Sequence, residues 1–438
     1  MGLGPQLLHH ATETADIWRT AAVYKGCPSR LFPPLCREDG TQADTPETKA
    51  QVFQAKFFPN APRAVPTHHP SDPPPQEPRT WTPITSVEVT ATLHTAAHTV
   101  PGPSGVGYKT LKWAHEARPD YLPHLLNLCL NLGYHPWKTT TVVMINKPQK
   151  LDYTVPKAYR PIALLECTGK LLKKIVAKRI NADIEQYNLL PMTQFRSRPK
   201  HNAINAVASL VHKIQGTIAT GHAGALLLFN ISGFFNNVNP SRATAILWNK
   251  GFPPSICAWT LSFLTGRKAA IHMGNYVSEP FPILNGTPQG SPLSPILSAL
   301  YTSSLLDIAK TWRHADLSLY VDNSAIYTIS ATLKAATESA RSKYETVLTW
   351  LHDNGLQTDT TKTKLMTFTP KRANPKFVGP PIQYMAHDTP SLPATPTMSR
   401  LSSPFDTSAS TSTTASTGPT TSPSWQTMHA PPSAGSPS

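Results

Sequence analysis

The stretch L-L-L-F-N-I-S-G-F-F-N-N-V, residues 226–238, decides the fold that we expect for this chain. Its first half belongs to a continuous apolar run, residues 225–231, which predicts a strand buried on both faces. Further along, L-Y-V-D-N, residues 319–323, lies between two short apolar runs, which predicts a tight β-hairpin with Asp322-Asn323 at its turn. These two elements can place polar side chains from distant parts of the chain side by side.

Two rigid β elements of this kind suit metal-assisted nucleotidyl transfer. Template-directed polymerases use two divalent ions roughly 3.5–4 Å apart, and Mg²⁺ prefers charged oxygen ligands. One expects an Asp at the end of the buried strand and another at the hairpin tip. Here the strand end carries Asn230 and Asn236, and the hairpin carries Asp322 and Asn323.

The region around these elements, about 86–372, has the composition of a mixed α/β globule. Apolar residues at helical spacing predict helices at 121–132, 169–187 and 332–354, and a β-branched run predicts a strand at 141–145.

The two ends of the chain differ from this central region. Residues 1–85 combine a helical candidate, 45–57, with the Pro-rich run 68–78, and we expect this region to be linker-like. Beyond 373 the acids and large aliphatics thin out, and 391–438 is mostly Ser, Thr, Pro and Ala. Such a composition buries too little surface to offset the entropy of ordering, so it predicts a disordered tail.

The charge of the chain favours polyanionic partners. Its 40 Lys and Arg oppose 25 acids, for a net charge of +15, as in proteins that bind nucleic acid or an anionic membrane surface. Between Lys138 and Lys213 lie fourteen basic residues against four acids. A merely basic, solvated surface is the alternative that charge alone leaves open.

Cysteine usage and the absence of long apolar stretches indicate an intracellular protein, of the nucleus or cytoplasm. The five cysteines include no C-x-x-C pair and no zinc spacing, as expected of free thiols in a reducing compartment. The N-terminus shows no signal peptide, and no apolar run approaches the ~18 residues of a membrane span. We therefore expect neither secretion nor membrane insertion.

Several further blocks accompany the strand and hairpin, and their order is informative. They are V-P-G-P-S-G-V-G-Y (100–108), N-K-P-Q-K (146–150), K-A-Y-R-P-I-A-L-L (157–165), T-Q-F-R-S-R (193–198), G-T-P-Q-G-S-P-L-S-P (286–295) and L-Q-T-D-T-T-K-T-K (356–364). In this order the chain resembles the reverse transcriptases of LINE-like (non-LTR) retrotransposons, especially those of fungal genomes, over roughly residues 98–372. Any one block alone would be a weak match.

The resemblance implies an α/β (α+β) fold, the fingers and palm of a right-hand polymerase with an antiparallel palm sheet, helices and disordered termini. Fingers would span 86–213 and palm 214–372, within a reverse transcriptase domain of about 125–372, and a thumb would be missing. Its implied partners are an RNA template, a DNA primer, deoxynucleoside triphosphates and two Mg²⁺ ions. Oligomeric state is left open.

The resemblance also implies roles for individual residues. Asn230 and Asp322 match the two metal-binding Asp positions, and Asn323 matches the neighbouring Asp of the hairpin; only Asp322 keeps a metal-binding carboxylate. The residues that match nucleotide-binding positions are Lys147, Arg160, Phe235, Gln289, Gly290 and Lys362. Three alternatives need no special role for these residues: Phe235 as an ordinary core aromatic, which would be favoured without the motif context, 287–295 as a Pro-rich turn, and Lys362 as a solvated element end.

The departures from the family pattern predict impaired chemistry. Asn offers one neutral carbonyl oxygen where Asp offers two anionic ones, so the site loses two of its three negative charges. Other departures put Lys173 at a usual Glu, Arg196 and Ser324 at a usual Gly, Asn205 at a usual Asp and Lys364 at a usual Glu. One G-to-A transition explains each of these changes, which suggests strand-biased deamination of the gene. Three functions stay open: an impaired polymerase, an RNA or RNA–DNA hybrid binding module, and a translated relic without function.

Overall fold

The computed structural model describes residues 32–58, 77–97 and 99–370. The predicted disordered tail and residues 68–76 of the Pro-rich run lie outside these ranges, as does the question of a thumb after the palm.

The buried run of the sequence forms the central strand of the larger sheet. This strand, β6 (Ala223–Ser232), pairs antiparallel with β11 (Asn323–Ser330), which pairs with β10 (Ala315–Tyr320). Along its other edge β6 pairs with β12 (Gln357–Thr358) and β13 (Lys364–Phe368), and a short parallel strand, β5 (Gln194–Phe195), extends the sheet beyond β10. The predicted antiparallel sheet is confirmed, with β5 as a parallel addition.

Helices cover both faces of β6, which is why its sequence is apolar without alternation. On one face, Phe229 meets Tyr344 of α11 (Leu333–Asp353) with ring centroids 5.3 Å apart. The other face of the sheet is covered by α6 (Ala203–Ala219). There Tyr327, which lies on β11 opposite Leu226 of β6, donates a hydrogen bond from its hydroxyl to Thr217 Oγ1 over 2.8 Å.

The helices predicted from apolar spacing are confirmed within one or two residues. They are α4 (Tyr121–Asn131), α5 (Cys167–Gln186) and α11. The side chain of Thr332 caps the start of α11, and Gly355, with φ of +68°, follows its end. The predicted apolar face of α5 is fully buried: Leu171, Leu172, Ile175, Val176, Ile180 and Ile184.

The remaining helices pack around these elements. Their bounds are α2 (Ser86–His94), α3 (Tyr108–Ala117), α7 (Pro240–Asn249), α8 (Pro254–Leu264), α9 (Ser294–Tyr301) and α10 (Ser303–Ala309), with short 3₁₀ turns at Pro156–Ala158, Phe234–Asn236 and Thr360–Lys362.

A second sheet mixes the two segments that the sequence assigned to fingers and palm. Strand β3 (Thr139–Asn146) pairs antiparallel with β4 (Tyr159–Leu164) and parallel with β7 (Arg267–Met273). Strands β8 (Tyr276–Val277) and β9 (Phe281–Ile283) then pair with β7. The predicted boundary at 213/214 therefore does not separate the sheets, because 267–283 joins the strands of the earlier segment. Pairing across more than a hundred residues leaves no local signal.

The N-terminal region also differs from its linker-like prediction. Strands β1 (Leu35–Cys36) and β2 (Gln42–Ala43) and helix α1 (Pro46–Phe57) pack onto the second sheet. Phe53 of α1 is fully buried, and its ring lies 5.1 Å from that of Tyr159. The predicted helix at 45–57 is confirmed, with Thr45 as its N-cap. The surrounding prolines and short apolar runs concealed a folded segment.

Two smaller expectations concern thiols and membranes. The cysteines within the described ranges, Cys36, Cys129, Cys167 and Cys257, are free. In the same ranges, no helix combines the length and apolar character that crossing a bilayer requires.

Candidate active site

The structure brings together three of the predicted site residues, where β6 meets the hairpin. Asn230 of β6 lies directly opposite Asn323, the first residue of β11. The backbone N–H of Ile231 donates to the carbonyl oxygen of Asp322 over 2.7 Å. The ladder of β6 and β11 thus fixes Asn230, Asp322 and Asn323 as one cluster.

The hairpin turn lies one residue earlier than the sequence predicts. Tyr320 pairs with Asn323, so the two turn residues are Val321 and Asp322. Val321 has φ of +59° and Asp322 does not share this sign, as in a type II′ hairpin turn. A β-branched residue in this region carries strain on the order of 1–3 kcal/mol. Packing of Val321 against the main core holds the strained tip, and Asp322 with it, in place.

An amide occupies the centre of the cluster. Asn230 is 7% exposed, and its Nδ2 donates to Asp322 Oδ2 (3.0 Å) and to Asn323 Oδ1 (3.3 Å). Its Oδ1 accepts a hydrogen bond from Lys362 Nζ over 3.4 Å. Because a carboxylate only accepts and an ammonium only donates, these neighbours fix which way the amide points.

A second carboxylate, Asp359, lies next to this cluster, and the sequence assigned it no role. Its backbone N–H donates to the carbonyl oxygen of Asn230 (2.8 Å), and its Oδ2 lies 3.3 Å from Lys362 Nζ. Burial opposes ionisation, but hydrogen bonds from Thr361 and the charge of Lys362 prevail and lower the pKa of Asp359. The position of Asp359 in the block L-Q-T-D-T-T-K-T-K (356–364) is the sequence feature that could have indicated a role for it. Asp359 therefore supplies charge that Lys362 already neutralises.

This arrangement does not fit two divalent cations. Within residues 32–58, 77–97 and 99–370, no group of three or more His, Cys, Asp or Glu side chains converges on one point. An ion beside Asp322 would meet the N–H donor of Asn230 and, across the amide, the ammonium of Lys362. The N–H group and the ammonium both repel a cation. The site also lacks the charged oxygen ligands that a hard divalent cation requires.

The predicted nucleotide-binding loop is pinned to the turn that follows β6. The N–H of Thr287 donates to the carbonyl oxygen of Phe235 over 2.6 Å, and Gln289 Nε2 lies 3.5 Å from Asn236 Oδ1. Gly286, which the sequence did not single out, makes this approach possible. It has φ of +80°, and a Cβ there would lie 2.6 Å from the Phe235 oxygen. Phe235 is half-buried and Gly290 is exposed, so one side of the loop stays accessible.

The two predicted fingers cations lie on the second sheet. Lys147 directly follows β3, and Arg160 of β4 pairs with Ile145 of β3. Burial, and then the charges of Arg160, Lys362 and Lys150, lower the pKa of Lys147, while Asp322 acts in the opposite direction. Lys147 is therefore within electrostatic reach of both Lys362 and Asp322. Electrostatic interactions thus connect the predicted cations Lys147, Arg160 and Lys362 with Asp322 of the cluster.

Comparison with known families identifies the fold that carries this site. Residues 145–389, more than half of the chain, match the family described as reverse transcriptase (RNA-dependent DNA polymerase). The chain belongs to the reverse transcriptase family. Polymerases of this kind use divalent metal ions. The side chains of the cluster around Asn230 do not offer the ligands that such ions require.

Relatives of this reverse transcriptase domain include three Drosophila melanogaster proteins. It is 27% identical to a probable RNA-directed DNA polymerase from transposon BS, over 66% of this chain and 33% of that protein. It is 24% identical to the RNA-directed DNA polymerase from mobile element jockey, over 61% of this chain and 30% of that protein. It is 26% identical to a probable RNA-directed DNA polymerase from transposon X-element, over 70% of this chain and 34% of that protein. They confirm a LINE-like, non-LTR retrotransposon domain, whereas the fungal type stays a prediction. The chain spans about a third of these relatives' length.

Solved structures with some likeness to the reverse transcriptase domain include two of Candida tropicalis telomerase. The truncated apo enzyme has a TM-score of 0.39 and 13% identity, with 54% of this chain and 52% of that chain covered. A complex with a fragment of telomeric RNA has a TM-score of 0.40 and 10% identity, over 53% and 41% of the two chains.

Proposed function

We propose that this domain descends from an RNA-directed DNA polymerase and that its own polymerase activity is lost or severely impaired. In the ancestral enzyme, fingers (86–213, joined by 267–283) and palm (the rest of 214–372) would hold an RNA template and a DNA primer. Asn230, Asp322 and Asn323 stand at the positions of the metal-binding acids. The substrates would be deoxynucleoside triphosphates with two Mg²⁺ ions.

The hydrogen bonds of Asn230 carry this proposal. Its amide donates to the one remaining carboxylate, Asp322, and accepts from Lys362, so the cluster is satisfied internally without a metal. Removing a single electrostatic stabiliser from an active site commonly costs about 10²–10³ in rate. Two lost carboxylates at a shared metal site should cost at least that, which would leave turnover below detection.

The remaining predicted residues would still contact a nucleotide. We assign Lys147, Arg160 and Lys362 to its phosphates, because they are cations around one region, and Phe235, Gln289 and Gly290 to its sugar and base. These contacts position a substrate without supplying the missing metal ligands.

Primer extension on an RNA template tests the proposal. We expect no product from the unaltered domain with Mg²⁺, and a gain of at least about 10²-fold when Asn230→Asp, Asn236→Asp and Asn323→Asp are combined. Asn131→Asp, an exposed position at the end of α4, controls for an added acid. Equal extension by the unaltered and triple-variant proteins would contradict the proposal.

A second candidate function, binding of RNA or an RNA–DNA hybrid, rests on the cations of the β3–β4 region. Lys150, Lys157 and Arg160 are exposed there, and Lys147 is half-buried beside them. Such a surface neutralises phosphates irrespective of base sequence.

Filter binding at several salt concentrations separates this candidate from a translated relic. Binding should weaken with salt, and Lys150→Ala should reduce the slope of log K against log salt by about 0.7 for a single strand. Lys334→Ala, an exposed change on α11, is the control. Binding that is undetectable or independent of salt would contradict the binding function and leave the translated relic as the remaining alternative.

A further inference from the structure

A small cavity lies behind the loop 285–289, between α5, β7 and the residues that lead into β3. Its volume is about 40 Å³, and its charged lining consists of Lys138, Lys173 and Arg267. Trp137 and Phe263 supply aromatic walls. Within the described ranges no acidic side chain lines it. Three cations therefore line one small cavity, and the described residues supply it with no carboxylate.

The hydrogen bonds that these cations make within the described part of the chain do not use all of their donors. Lys138 Nζ donates to the carbonyl oxygens of Ser262 and Thr265 and to the hydroxyl oxygen of Ser262. Arg267 donates through Nε to Leu264 O and through Nη2 to the carbonyl oxygens of the loop, Asn285 and Gly286. Among the described residues, its Nη1 has no acceptor.

Lys173 is the most isolated of the three. It is 1% exposed, and its Nζ lies 5.1 Å from the centroid of the Phe263 ring. The part of the chain that the structure describes offers it no hydrogen-bond acceptor and no ion pair. The acid that acts on it, Glu166, already accepts from the backbone N–H of Ser104 (2.8 Å) and from the hydroxyl of the same residue.

The surroundings of Lys173 make its positive charge unfavourable unless a negative charge lies nearby. Burial, and then the charges of Lys170 and Arg267, lower the pKa of Lys173 to about 7. Burial, and then the charges of Lys173 and Lys138, also lower the pKa of the neighbouring His135 to about 2. A buried, unpaired cation costs several kcal/mol unless it is paired or loses its proton.

We propose that the cavity is a binding site for a small monovalent anion, such as chloride or formate, held by Lys173 Nζ and Arg267 Nη1. A space of this size admits an ion of a few atoms and excludes a nucleotide. Water can satisfy a free N–H donor, but it does not compensate charge. The anion would join α5 to the loop 285–289 through Arg267, so it would stabilise the segment that carries Gln289.

Thermal unfolding in matched potassium salts tests the site. At constant ionic strength, replacing gluconate, which is too large for the cavity, with chloride or formate should raise the melting temperature saturably. The expected rise is about 2–4 °C at ten times the dissociation constant. Lys173→Met should abolish the response, whereas Lys178→Met, an exposed change on the same helix, should retain it.

Two further measurements make the result specific. Broadening of the chloride-35 resonance should report binding to the unaltered protein and not to Lys173→Met. Lys173→Glu supplies the carboxylate internally, so this variant should melt higher in gluconate and ignore chloride. Equal melting in the three salts, or an unchanged response in Lys173→Met, would overturn the proposal and leave a cavity that holds water alone.

Discussion

Replacing Lys173 with Met should change how the stability of this protein depends on pH. Burial lowers the pKa of Lys173 from 10.5 to about 7 in the folded state, while the unfolded chain keeps a value of about 10.4. Between these values the unfolded state holds a proton that the folded state lacks. The free energy of unfolding therefore rises with pH in this window, by about 1.4 kcal/mol per unit, and the full penalty applies below the folded pKa.

The size of the effect follows from that shift. Raising the pH from about 7.5 to 9.5 should stabilise the unaltered protein by about 2.5 kcal/mol through Lys173. Lys173→Met has no such group, so it should lack this slope and be more stable at about pH 7.5 by up to ~4 kcal/mol. Gluconate as the salt anion avoids small anions, whose binding beside Lys173 would raise its pKa.

Urea denaturation at the two pH values measures the difference directly. Other groups that titrate in this range in the unfolded chain also contribute to the slope. One is Cys257, whose pKa burial raises to about 12 in the folded state. Their contributions are the same in both proteins and cancel in the comparison. Lys178→Met should behave like the unaltered protein, because that side chain is exposed. Equal pH slopes for Lys173→Met and the unaltered protein would refute the reasoning.

Three other predictions concern the described fold and site. Phe53→Ala should cost about 3–5 kcal/mol in denaturant unfolding, because its buried ring joins α1 to the second sheet; no change would mean that α1 is only loosely attached. Arg196→Gly should raise stability by about 1 kcal/mol, because Arg196 is exposed with φ of +66°, and a loss would show that its hydrogen bond to Tyr320 outweighs the strain. Asn230→Asp combined with Asn323→Asp should make the melting temperature rise with Mg²⁺, whereas that of the unaltered protein should stay constant. Calorimetry that finds equal Mg²⁺ binding by both proteins would contradict the conclusion that the unaltered site does not suit divalent cations.

Local pattern was sufficient for the elements whose apolar residues recur regularly. The face of α5 and the run that became β6 were readable because burial demands those residues at those spacings. The cluster of Asn230 and Asp322 was also predictable, because the resemblance supplied a pairing that no local pattern contains. The hairpin turn was misplaced by one residue, since a strained Val321 is an unusual choice that the strand register imposes.

The sequence by itself determined the family, the principal helices and strands, and the presence of Asn at 230, 236 and 323. Only the tertiary structure decided that β7 joins β3, that α1 is folded onto them, and that Asp359 and Lys362 flank Asn230. It also decided that Lys173 is buried among cations rather than solvated on a basic helix. The physical reason is that periodicity reports which face of an element is apolar, whereas contacts between elements far apart in the chain, and the charges they enclose, are set only when those faces pack together.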